Sequence, residues 1–331
     1  MQMNNFFIAI FVFYLLFSFS LACVSSTLAK SRNQSRALWF LLTLIFPIAI
    51  VIIAFKDKPI LESNTIQQNN TQPDNSYNVF VSLWTLTVKE IRRFLRIWVQ
   101  TLVPPAVTMS LYFVIFGSLI GPRIGSMDGF DYIQYMIPGL IMLSVITNSY
   151  NNVVSSFYSV KFQKSIEELL ISPMPNWAIL LGFVLGGVAR GVLIGFIVFG
   201  VSLIFYPDFT VANPILTLIV LLLTAILFSL MGFMNAVFAD SFDDISIIPT
   251  FILTPLIYLG GVFYSINILP DIWRSISMFN PMLYVVNTFR EGMLGVSDVS
   301  ISFSLGMIFA FIGILAGACL YFLKKGTGIR Q

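Results

Sequence analysis

Long, uninterrupted apolar runs dominate the pattern of hydrophobic and polar positions along the chain. Eight such runs occur, at approximately residues 6–24, 38–54, 99–120, 132–157, 177–205, 212–238, 245–264 and 301–323. An α-helix needs roughly 20 apolar residues to cross a bilayer, which these runs supply. Continuous runs exclude a transmembrane β-barrel, whose strands alternate apolar and polar residues. The pattern therefore predicts an all-α, polytopic membrane protein.

Composition supports this prediction and removes much enzyme chemistry. Of the 331 residues, 57% are hydrophobic and 10% are charged, whereas soluble domains average about 25% charged residues. The chain contains no His, which excludes Ser–His and Cys–His nucleophile pairs. Cys23 and Cys319 lie inside apolar runs, so we expect neither a disulfide framework nor a thiolate metal site. No G-x-x-x-x-G-K-[ST] phosphate loop occurs, so we expect this chain not to hydrolyse ATP by that mechanism.

The placement of Lys and Arg predicts the topology of the last six runs, because basic residues mark the cytoplasmic side of a membrane protein. Counting crossings back from the C-terminus places nine basic residues inside: Lys89, Arg92, Arg93, Arg96, Lys161, Lys164, Lys324, Lys325 and Arg330. Three stay outside: Arg123, Arg274 and Arg290. This asymmetry favours six crossings within residues 78–331, with both ends in the cytoplasm.

The first two runs form an N-terminal hydrophobic segment pair of unknown role over residues 1–55. A polar linker, rich in Asn, Gln, Ser and Thr, follows over residues 56–77. A simple hairpin would place Lys30 and its basic neighbours outside, against the charge rule. We therefore expect the second run, which contains Pro47, to lie in the membrane without crossing it.

The segment before the third run has two faces at helical spacing. The apolar face comprises Trp84, Val88, Ile91, Leu95 and Trp98, and the cationic face comprises Lys89, Arg92, Arg93 and Arg96. This pattern is typical of an amphipathic helix in the membrane interface. It predicts either a surface anchor or an elbow helix that leads the chain into a transporter bundle.

The inner loop between the fourth and fifth runs predicts a short helix. Ser165-Ile166-Glu167-Glu168 has the S-x-x-E form of a capping box, in which the Ser165 side chain accepts from the backbone N–H of Glu168. Ile166, Leu169 and Leu170 form one face, and Pro173 and Pro175 stop the helix. The helix is either a contact for a cytosolic motor or a loop helix resting on lipid.

The second inner loop, Asp240 to Asp244, is very short. Asp243 and Asp244 stand at the start of the next helix, where negative charge opposes the positive end of the helix dipole. We expect a capping role for these acids. The alternative is a second contact with a cytosolic partner, for which Asp240, Asp243 and Asp244 are the candidates.

The fifth run combines small residues with a charge. Gly182, Gly186, Gly187, Gly191 and Gly195 have small-xxx-small spacing, which permits close approach of a neighbouring helix. Arg190 lies among these glycines, near the middle of the run. It is either a functional intramembrane charge or a side chain that snorkels to the inner interface.

An outer segment, residues 265–300, lies between the last two crossings. It contains two apolar pieces, 272–279 and 282–293, each too short to span a bilayer. We expect them to re-enter the membrane where protein or a watery cavity shields their backbone. A helical pair lying on the membrane surface is the alternative.

Several short motifs now stand in a recognisable order. They are Lys89-Glu90-Ile91-Arg92-Arg93, Glu167-Glu168-Leu169-Leu170 with Pro173 and Pro175, Gly260-Gly261-Val262-Phe263-Tyr264, Leu269-Pro270, Asn280-Pro281, Tyr284 and Phe289-Arg290. In this order and spacing, residues 78–331 resemble the ABC-2 type permeases of ABC transporters. The resemblance covers about three quarters of the chain and does not extend to residues 1–77.

The resemblance implies a six-helix transmembrane domain that works as a homodimer in the bacterial inner membrane. It also implies an amphipathic elbow helix, a coupling helix at roughly residues 165–171, and outer re-entrant helices. The re-entrant region contains Pro281, Tyr284, Arg290 and Glu291. A separate ABC ATPase subunit would bind ATP and Mg²⁺, and this chain itself would bind no cofactor, metal or nucleic acid.

The leading hypothesis is therefore the membrane permease subunit of an ATP-driven exporter of an amphipathic drug, lipid or glycan. Two alternatives stay open. A membrane-embedded lipid-modifying enzyme needs clustered catalytic groups at one depth, and none is visible in the sequence. An ion-coupled carrier usually places acidic or His relays within its helices.

Overall fold

Helices make up nearly all of the structure, a computed structural model that describes residues 78–326. The predicted segment pair at 1–55, the linker at 56–77 and Arg330 lie outside the described residues. The described chain confirms the predicted all-α class, apart from a two-stranded hairpin whose antiparallel strands pair Ser126 with Asp131 and Met127 with Phe130.

The elements follow one another with short connections. In chain order they are α1 (Val79–Arg96), α2 (Trp98–Tyr112), a π-helical segment (Phe113–Ile120), α3 (Gly121–Ile124), β1 (Ser126–Met127), β2 (Phe130–Asp131), α4 (Tyr132–Phe162), α5 (Ser165–Ile171), α6 (Asn176–Phe205), α7 (Pro214–Phe238), α8 (Asp244–Ile247), a second π-helical segment (Ile248–Leu253), α9 (Thr254–Leu259), a 3₁₀ turn (Ile266–Ile268), α10 (Asp271–Met278), α11 (Pro281–Leu294) and α12 (Ile301–Lys325).

Four helical stretches of the described chain are long and apolar enough to cross a membrane. They are Trp98–Ile124, Asn176–Phe205, Pro214–Phe238 and Ile301–Lys325. Helix α4 has 31 residues but is more polar, and the apolar stretch Asp244–Leu259 is shorter. The polytopic character is thus confirmed, while the count of six crossings stays a prediction.

By its contacts, the described chain falls into two units. Residues Ile97–Ser110 belong to one, and the other comprises Asn78–Arg96 together with the chain from Leu111 onward. The described part of the first unit is helical and contains Pro104 and Pro105. All the sites described below belong to the second unit.

Helix α4 forms the centre of the second unit, packed between α6 and α7. Its polar positions are tolerated because they are buried against protein and bonded within the helix. Ser144, for example, is fully buried, and its hydroxyl donates to the carbonyl of Leu140 at 3.0 Å. Many of the polar residues that lower the hydropathy of α4 are therefore buried against protein.

The glycines of α6 bring this helix close to its neighbours, as predicted. A Cβ at Gly186 would lie 2.6 Å from the Cβ of Glu90 on α1, and a Cβ at Gly191 would meet the Ser149 side chain of α4. At Gly200, farther along the same helix, no described residue lies within 4 Å of an added Cβ. The small-residue pattern thus marks the part of α6 that is packed against α1 and α4.

The outer segment contains two short helices, α10 and α11, joined by Phe279 and Asn280. They have eight and 14 residues, so neither can span a bilayer. Helix α11 is almost wholly buried against α4, α7 and α12. Helix α10 instead exposes an apolar face, with Ile272 74% and Ile276 48% exposed.

Candidate functional site

A buried lysine fastens the end of α4, which the charge distribution predicts to be cytosolic, to the end of α7. Lys161, 6% exposed, donates from Nζ to the carbonyl oxygens of Val237 at 2.8 Å and Ala239 at 2.7 Å. These carbonyls lie at the C-terminus of α7, where unsatisfied acceptors and the negative end of the helix dipole favour a cation. The first and second inner loops are therefore held together at their bases.

The pKa of Lys161 reflects this environment, which lies beyond the apolar run 132–157. Burial lowers the pKa of the ammonium group below its usual value of 10.5, because desolvation disfavours the charged form. The carboxylates of Asp240 and Asp244 raise it again, which is the weaker influence. Two of the three candidate acids of the second inner loop thus lie near this lysine.

Aromatic rings strengthen the same junction. The Tyr158 hydroxyl donates to the carbonyl oxygen of Asp240 at 2.9 Å. The ring of Phe242 in the second loop packs edge-on against Tyr158 and Phe162 of α4, with centroids 4.8 and 5.1 Å apart. The end of α4 and the second inner loop are therefore packed together through side chains.

The second inner loop ends in a capping box. The Ser241 hydroxyl accepts from the backbone N–H of Asp244 at 3.1 Å, and the Asp244 carboxylate accepts from the N–H groups of Ser241 at 2.9 Å and Asp240 at 3.0 Å. Bonds from the Asp240 backbone and from the Ser241 side chain and backbone lower the pKa of Asp244. The exposed Asp243 precedes the helix without a capping bond from its side chain.

The predicted short helix of the first inner loop is present as α5, which ends before Pro173 as expected. Its predicted cap is wrong. Lys164 takes the N-cap position with a left-handed φ of 59°, and its carbonyl accepts from the N–H of Glu167 at 3.2 Å. Because the chain turns at Lys164, Ser165 is already the first helical residue and makes no capping bond to Glu168.

Ile166 anchors α5 to the bundle, and the exposure of the other residues differs between the two faces of the helix. Ile166 is 1% exposed, whereas Ile171 is 85% exposed. Glu167 and Glu168 are exposed as well, and Leu169 and Leu170 are half-buried. The candidate coupling residues therefore form a short helix with one attached face and one outward face that is both acidic and apolar.

Helix α1 carries the predicted apolar and cationic stripes, but its buried face is a third one. Trp84 is 69% exposed, while Leu86, Glu90 and Phe94 are buried. The basic side chains of Lys89, Arg92 and Arg96 line an open groove with Trp84, Thr85 and Val88. The elbow role stays a prediction, and the apolar stripe is free to face lipid.

Arg93 departs from the other basic residues of α1, because it belongs to a buried polar cluster. Its Nε donates to the Glu90 carboxylate at 3.1 Å, and its Nη2 donates to both the backbone and side-chain oxygens of Asn152 at 2.9 Å. The Ser156 hydroxyl also donates to Glu90. This Glu90 cluster binds α1 to the polar face of α4.

Arg190 of α6 is half-buried and reaches the same face of α4. Its Nη2 donates to the side-chain oxygen of Asn148 at 3.1 Å. Asn148 in turn donates to the carbonyl of Ser144 at 2.9 Å. Arg190 is therefore held by a polar side chain within the helix bundle, and both its functional and its snorkelling interpretation stay predictions.

At the outer end, Arg290 of α11 is fully buried. Its guanidinium lies 4.1 Å above the ring centroid of Tyr135, and its Nη2 donates to the carbonyl of Gly261 at 2.5 Å. Gly261 has a positive φ of 78°, a conformation that glycine adopts without strain. The conspicuous Gly260-Gly261 pair thus forms the turn that receives this arginine.

Of the remaining outer candidates, Pro281 and Tyr284 lie in the first turn of α11. Pro281 is its first residue, and the Asn280 side chain caps the helix by accepting from the N–H of Met282 at 3.0 Å. The Tyr284 hydroxyl donates to the carbonyl of Met278 at 2.5 Å, which ties α11 to α10. Glu291 is half-buried near the other end of the helix.

Comparison with known proteins identifies the family. Residues 81–294, well over half of the chain, match the family described as ABC-2 type transporter. This chain belongs to the ABC-2 type transporter family. The inner membrane transport permease YadH of Escherichia coli strain K12 is 53% identical over 252 residues, which cover 76% of this chain and 98% of that protein. YadH of Shigella flexneri shows the same identity and coverage.

A more distant relative of this ABC-2 transporter is nodulation protein J of Rhizobium leguminosarum bv. viciae. It is 22% identical over 207 residues, or 61% of this chain and 78% of the relative. The predicted family and inner-membrane location are confirmed. The chain is accordingly a membrane transport subunit of the ABC-2 type.

Sequence reasoning missed several residues that hold this ABC-2 transporter together. Glu90 and Lys161 are buried and bonded, although each stands among polar neighbours that suggest exposure. For Glu90 the only available signal is helical spacing from Leu86 and Phe94. Asp298 was also missed, and its carboxylate accepts from Ser265, Asn267 and Ile266 in the outer segment.

Proposed function

We propose that this chain is the permease subunit of an ATP-driven exporter in the inner membrane. Two copies, each with six crossings, enclose the transport path, and a separate cytosolic ABC ATPase moves them. ATP and Mg²⁺ bind to that ATPase, and this chain contacts lipid and substrate. The substrate is an amphipathic drug, lipid or glycan.

The observation that supports the coupling role most directly is the arrangement of α5. Its outward face presents Glu167, Glu168 and Ile171 to the cytosolic side, while Ile166 is inserted into the bundle. Leu169 and Leu170, both half-buried, continue the exposed Ile171 as a contiguous apolar patch beside these charges, which suits a docking surface. Force applied to α5 reaches α4 directly, since only Gln163 and Lys164 separate the two helices.

The fastening of the second inner loop extends this argument. Lys161 and Tyr158 bond α4 to the backbone at residues 237–240. A push on α5 therefore moves the cytosolic ends of α4 and α7 together rather than separately. We infer that Asp240 and Asp243, both exposed, lie at the edge of the same ATPase contact.

The test is stimulation of a co-purified ATPase by variants of α5 in reconstituted vesicles. Glu168→Ala and Ile171→Asn should weaken both ATPase stimulation and transport, because they change the docking face without changing the bundle. The matched control is Ile215→Asn, an equally drastic change at an exposed isoleucine at the start of α7. It should leave ATPase stimulation unchanged.

Two results would contradict the proposal. If Glu168→Ala and Ile171→Asn stimulate the ATPase and transport as well as the unmodified chain, α5 is not the coupling element. If vesicles that contain this chain alone accumulate solute or turn over lipid, the ion-coupled carrier or the lipid-modifying enzyme replaces the exporter.

A further inference from the structure

A polar cavity of about 170 Å³ lies in the outer segment, on the side that the charge distribution predicts to be external. A single buried water needs only about 10–15 Å³ of such space. The cavity is lined by Asp128, Tyr135, Asn267, Asn287, Arg290, Val296, Ser297 and Asp298. It therefore has room for a ligand that carries several polar atoms.

Arg290 supplies the positive charge of this cavity. The residue is 1% exposed, and its Nε and Nη1 atoms have no hydrogen-bond partner among the described residues. A guanidinium carries five N–H donors, and a buried charge without partners is strongly unfavourable. No carboxylate of the described chain lies within salt-bridge distance of it. Arg290 thus has unused donors for an anionic oxygen.

The two acidic residues of the cavity differ in how many hydrogen bonds their carboxylates already accept. Asp298 already accepts from the Ser265 hydroxyl at 3.0 Å, from the Asn267 amide at 2.7 Å and from the Ile266 N–H at 3.3 Å. The Asp128 carboxylate accepts from no donor in the described part of the chain. Asp128 is exposed at the tip of the β1–β2 hairpin, so it can receive a cationic group at the cavity mouth.

Exposed apolar side chains follow one of the lining residues along the chain. Asn267 lines the cavity, and the next residue, Ile268, is 64% exposed. Ile272 and Phe279 follow with exposures of 74% and 90%. Exposed apolar side chains beside a polar cavity suit a ligand whose head is polar and whose tail lies in lipid.

We propose that this cavity binds the headgroup of a zwitterionic phospholipid from the outer leaflet. The phosphate accepts from the free nitrogens of Arg290, and the ammonium group donates to Asp128. Acyl chains lie against the exposed side chains of Ile268, Ile272 and Phe279. The proposal concerns binding at the outer end and does not depend on the ATPase partner or on the transported substrate.

The experiment measures lipid retention by native mass spectrometry of the full chain, purified from nanodiscs that contain equal amounts of phosphatidylethanolamine and phosphatidylglycerol. The unmodified chain should retain phosphatidylethanolamine preferentially. Asp128→Asn should reduce this preference about tenfold, because a charged hydrogen bond to the ammonium group is lost. Arg290→Lys should weaken retention of both lipids, since a compact ammonium cannot reproduce the guanidinium donors.

Asp131→Asn is the matched control. It removes the same charge from the same hairpin, at an exposed residue that does not line the cavity, and it should leave the preference unchanged. Asn is also compatible with the positive φ of 49° at position 128. Asp128→Asn therefore tests the site even if Arg290→Lys fails to fold.

Three results would overturn the proposal. The first is equal retention of both lipids by the unmodified chain. The second is an identical preference in Asp128→Asn and Asp131→Asn, which would place lipid binding elsewhere. The third is displacement of bound lipid by inorganic phosphate as effectively as by phosphoethanolamine, which would reduce the cavity to a simple anion site.

Discussion

Two buried cations stand at opposite ends of the bundle, and they are satisfied to different degrees. Lys161 at the cytosolic end donates to two backbone carbonyls of the α7 terminus, at 2.7 and 2.8 Å. Arg290 at the opposite end donates to one carbonyl, and two of its nitrogens have no partner within residues 78–326. The first cation holds protein segments together, whereas the second retains donors for something else.

This difference in hydrogen bonding agrees with the function proposed for each end of the bundle. A cytosolic end that receives force from another subunit must transmit it without local rearrangement, and bonded, packed loops do so. An outer end that binds lipid or substrate needs a cavity whose hydrogen-bond donors and acceptors are not all occupied by protein groups. Substitutions at the inner end show whether it is as firmly fastened as its contacts indicate.

The largest effect on stability should come from removing the positive charge of Lys161. Lys161→Met keeps the length of the side chain but leaves the carbonyls of Val237 and Ala239 without their donor. We expect a loss of about 3 kcal/mol in the free energy of unfolding, together with reduced ATPase stimulation. Thermal unfolding in detergent micelles measures the first quantity.

Lys164→Met is the control for this change. Lys164 is exposed and lies only three residues away, so the same substitution should change stability little. If both variants unfold at the same temperature, the two carbonyl bonds of Lys161 do not stabilise the inner end, and the contrast with Arg290 fails.

A second, smaller effect should follow from filling the space between α1 and α6. A Cβ added at Gly186 would lie only 2.6 Å from the Cβ of Glu90, and Gly186→Val adds two more methyl groups at this contact. Overpacking of this kind costs about 2 kcal/mol. Gly200→Val on the same helix has the same helix propensity, but an added Cβ there has no neighbour within 4 Å in the described part of the chain. The difference between the two unfolding temperatures therefore isolates the packing.

Features of this fold that depend on backbone geometry or on the length of an apolar run were predictable from the sequence. Apolar runs predicted the helices, the prolines after residue 171 predicted the end of α5, and the glycines around residue 187 predicted a close contact. Each of these signals acts through backbone geometry or length. They do not depend on which neighbour a side chain finally meets.

The partners of polar residues were not predictable from the sequence in the same way. In a membrane protein, lipid and the protein interior are both apolar, so an apolar stripe does not reveal which side of a helix is buried. Helix α1 illustrates this, because its Trp84 stripe is exposed and its Glu90 face is buried. The burial of Arg290 depends on a turn at Gly261, which lies 29 positions earlier in the chain.

The capping boxes show a local limit of the same kind. Ser165-x-x-Glu168 and Ser241-x-x-Asp244 fit the same pattern, yet only the second forms the reciprocal bonds. The left-handed conformation of Lys164 moves the cap by one residue in the first case. Sequence spacing alone does not contain the conformation of the preceding residue.

The Glu90 cluster provides the third prediction, since it extends the fastening to α1. Arg93→Gln removes the bonds to Glu90 and Asn152 and leaves a buried carboxylate with less compensation. We expect a loss of about 1.5 kcal/mol, because Arg93 is partly exposed to solvent. Arg92→Gln, one position earlier on an exposed face, is the control and should be nearly neutral. Equal stability of the two variants would show that the cluster does not hold α1.

The smallest effect concerns Asp244 and is a dependence on pH. Its backbone and hydroxyl bonds hold the pKa of this carboxyl below the usual 3.8, so the unfolded chain binds a proton at a higher pH than the folded one. The stabilisation is therefore complete above the usual value and is lost as the pH falls through the folded pKa. Asp244→Asn should be less stable than the unmodified chain at neutral pH, and the two unfolding temperatures should converge in acid. Asp243→Asn is the control, because its side chain makes no capping bond, and its unfolding temperature should equal that of the unmodified chain at every pH. If the unfolding temperatures of Asp244→Asn and the unmodified chain instead differ by the same amount at every pH, the ionised carboxylate of Asp244 does not stabilise the capping box.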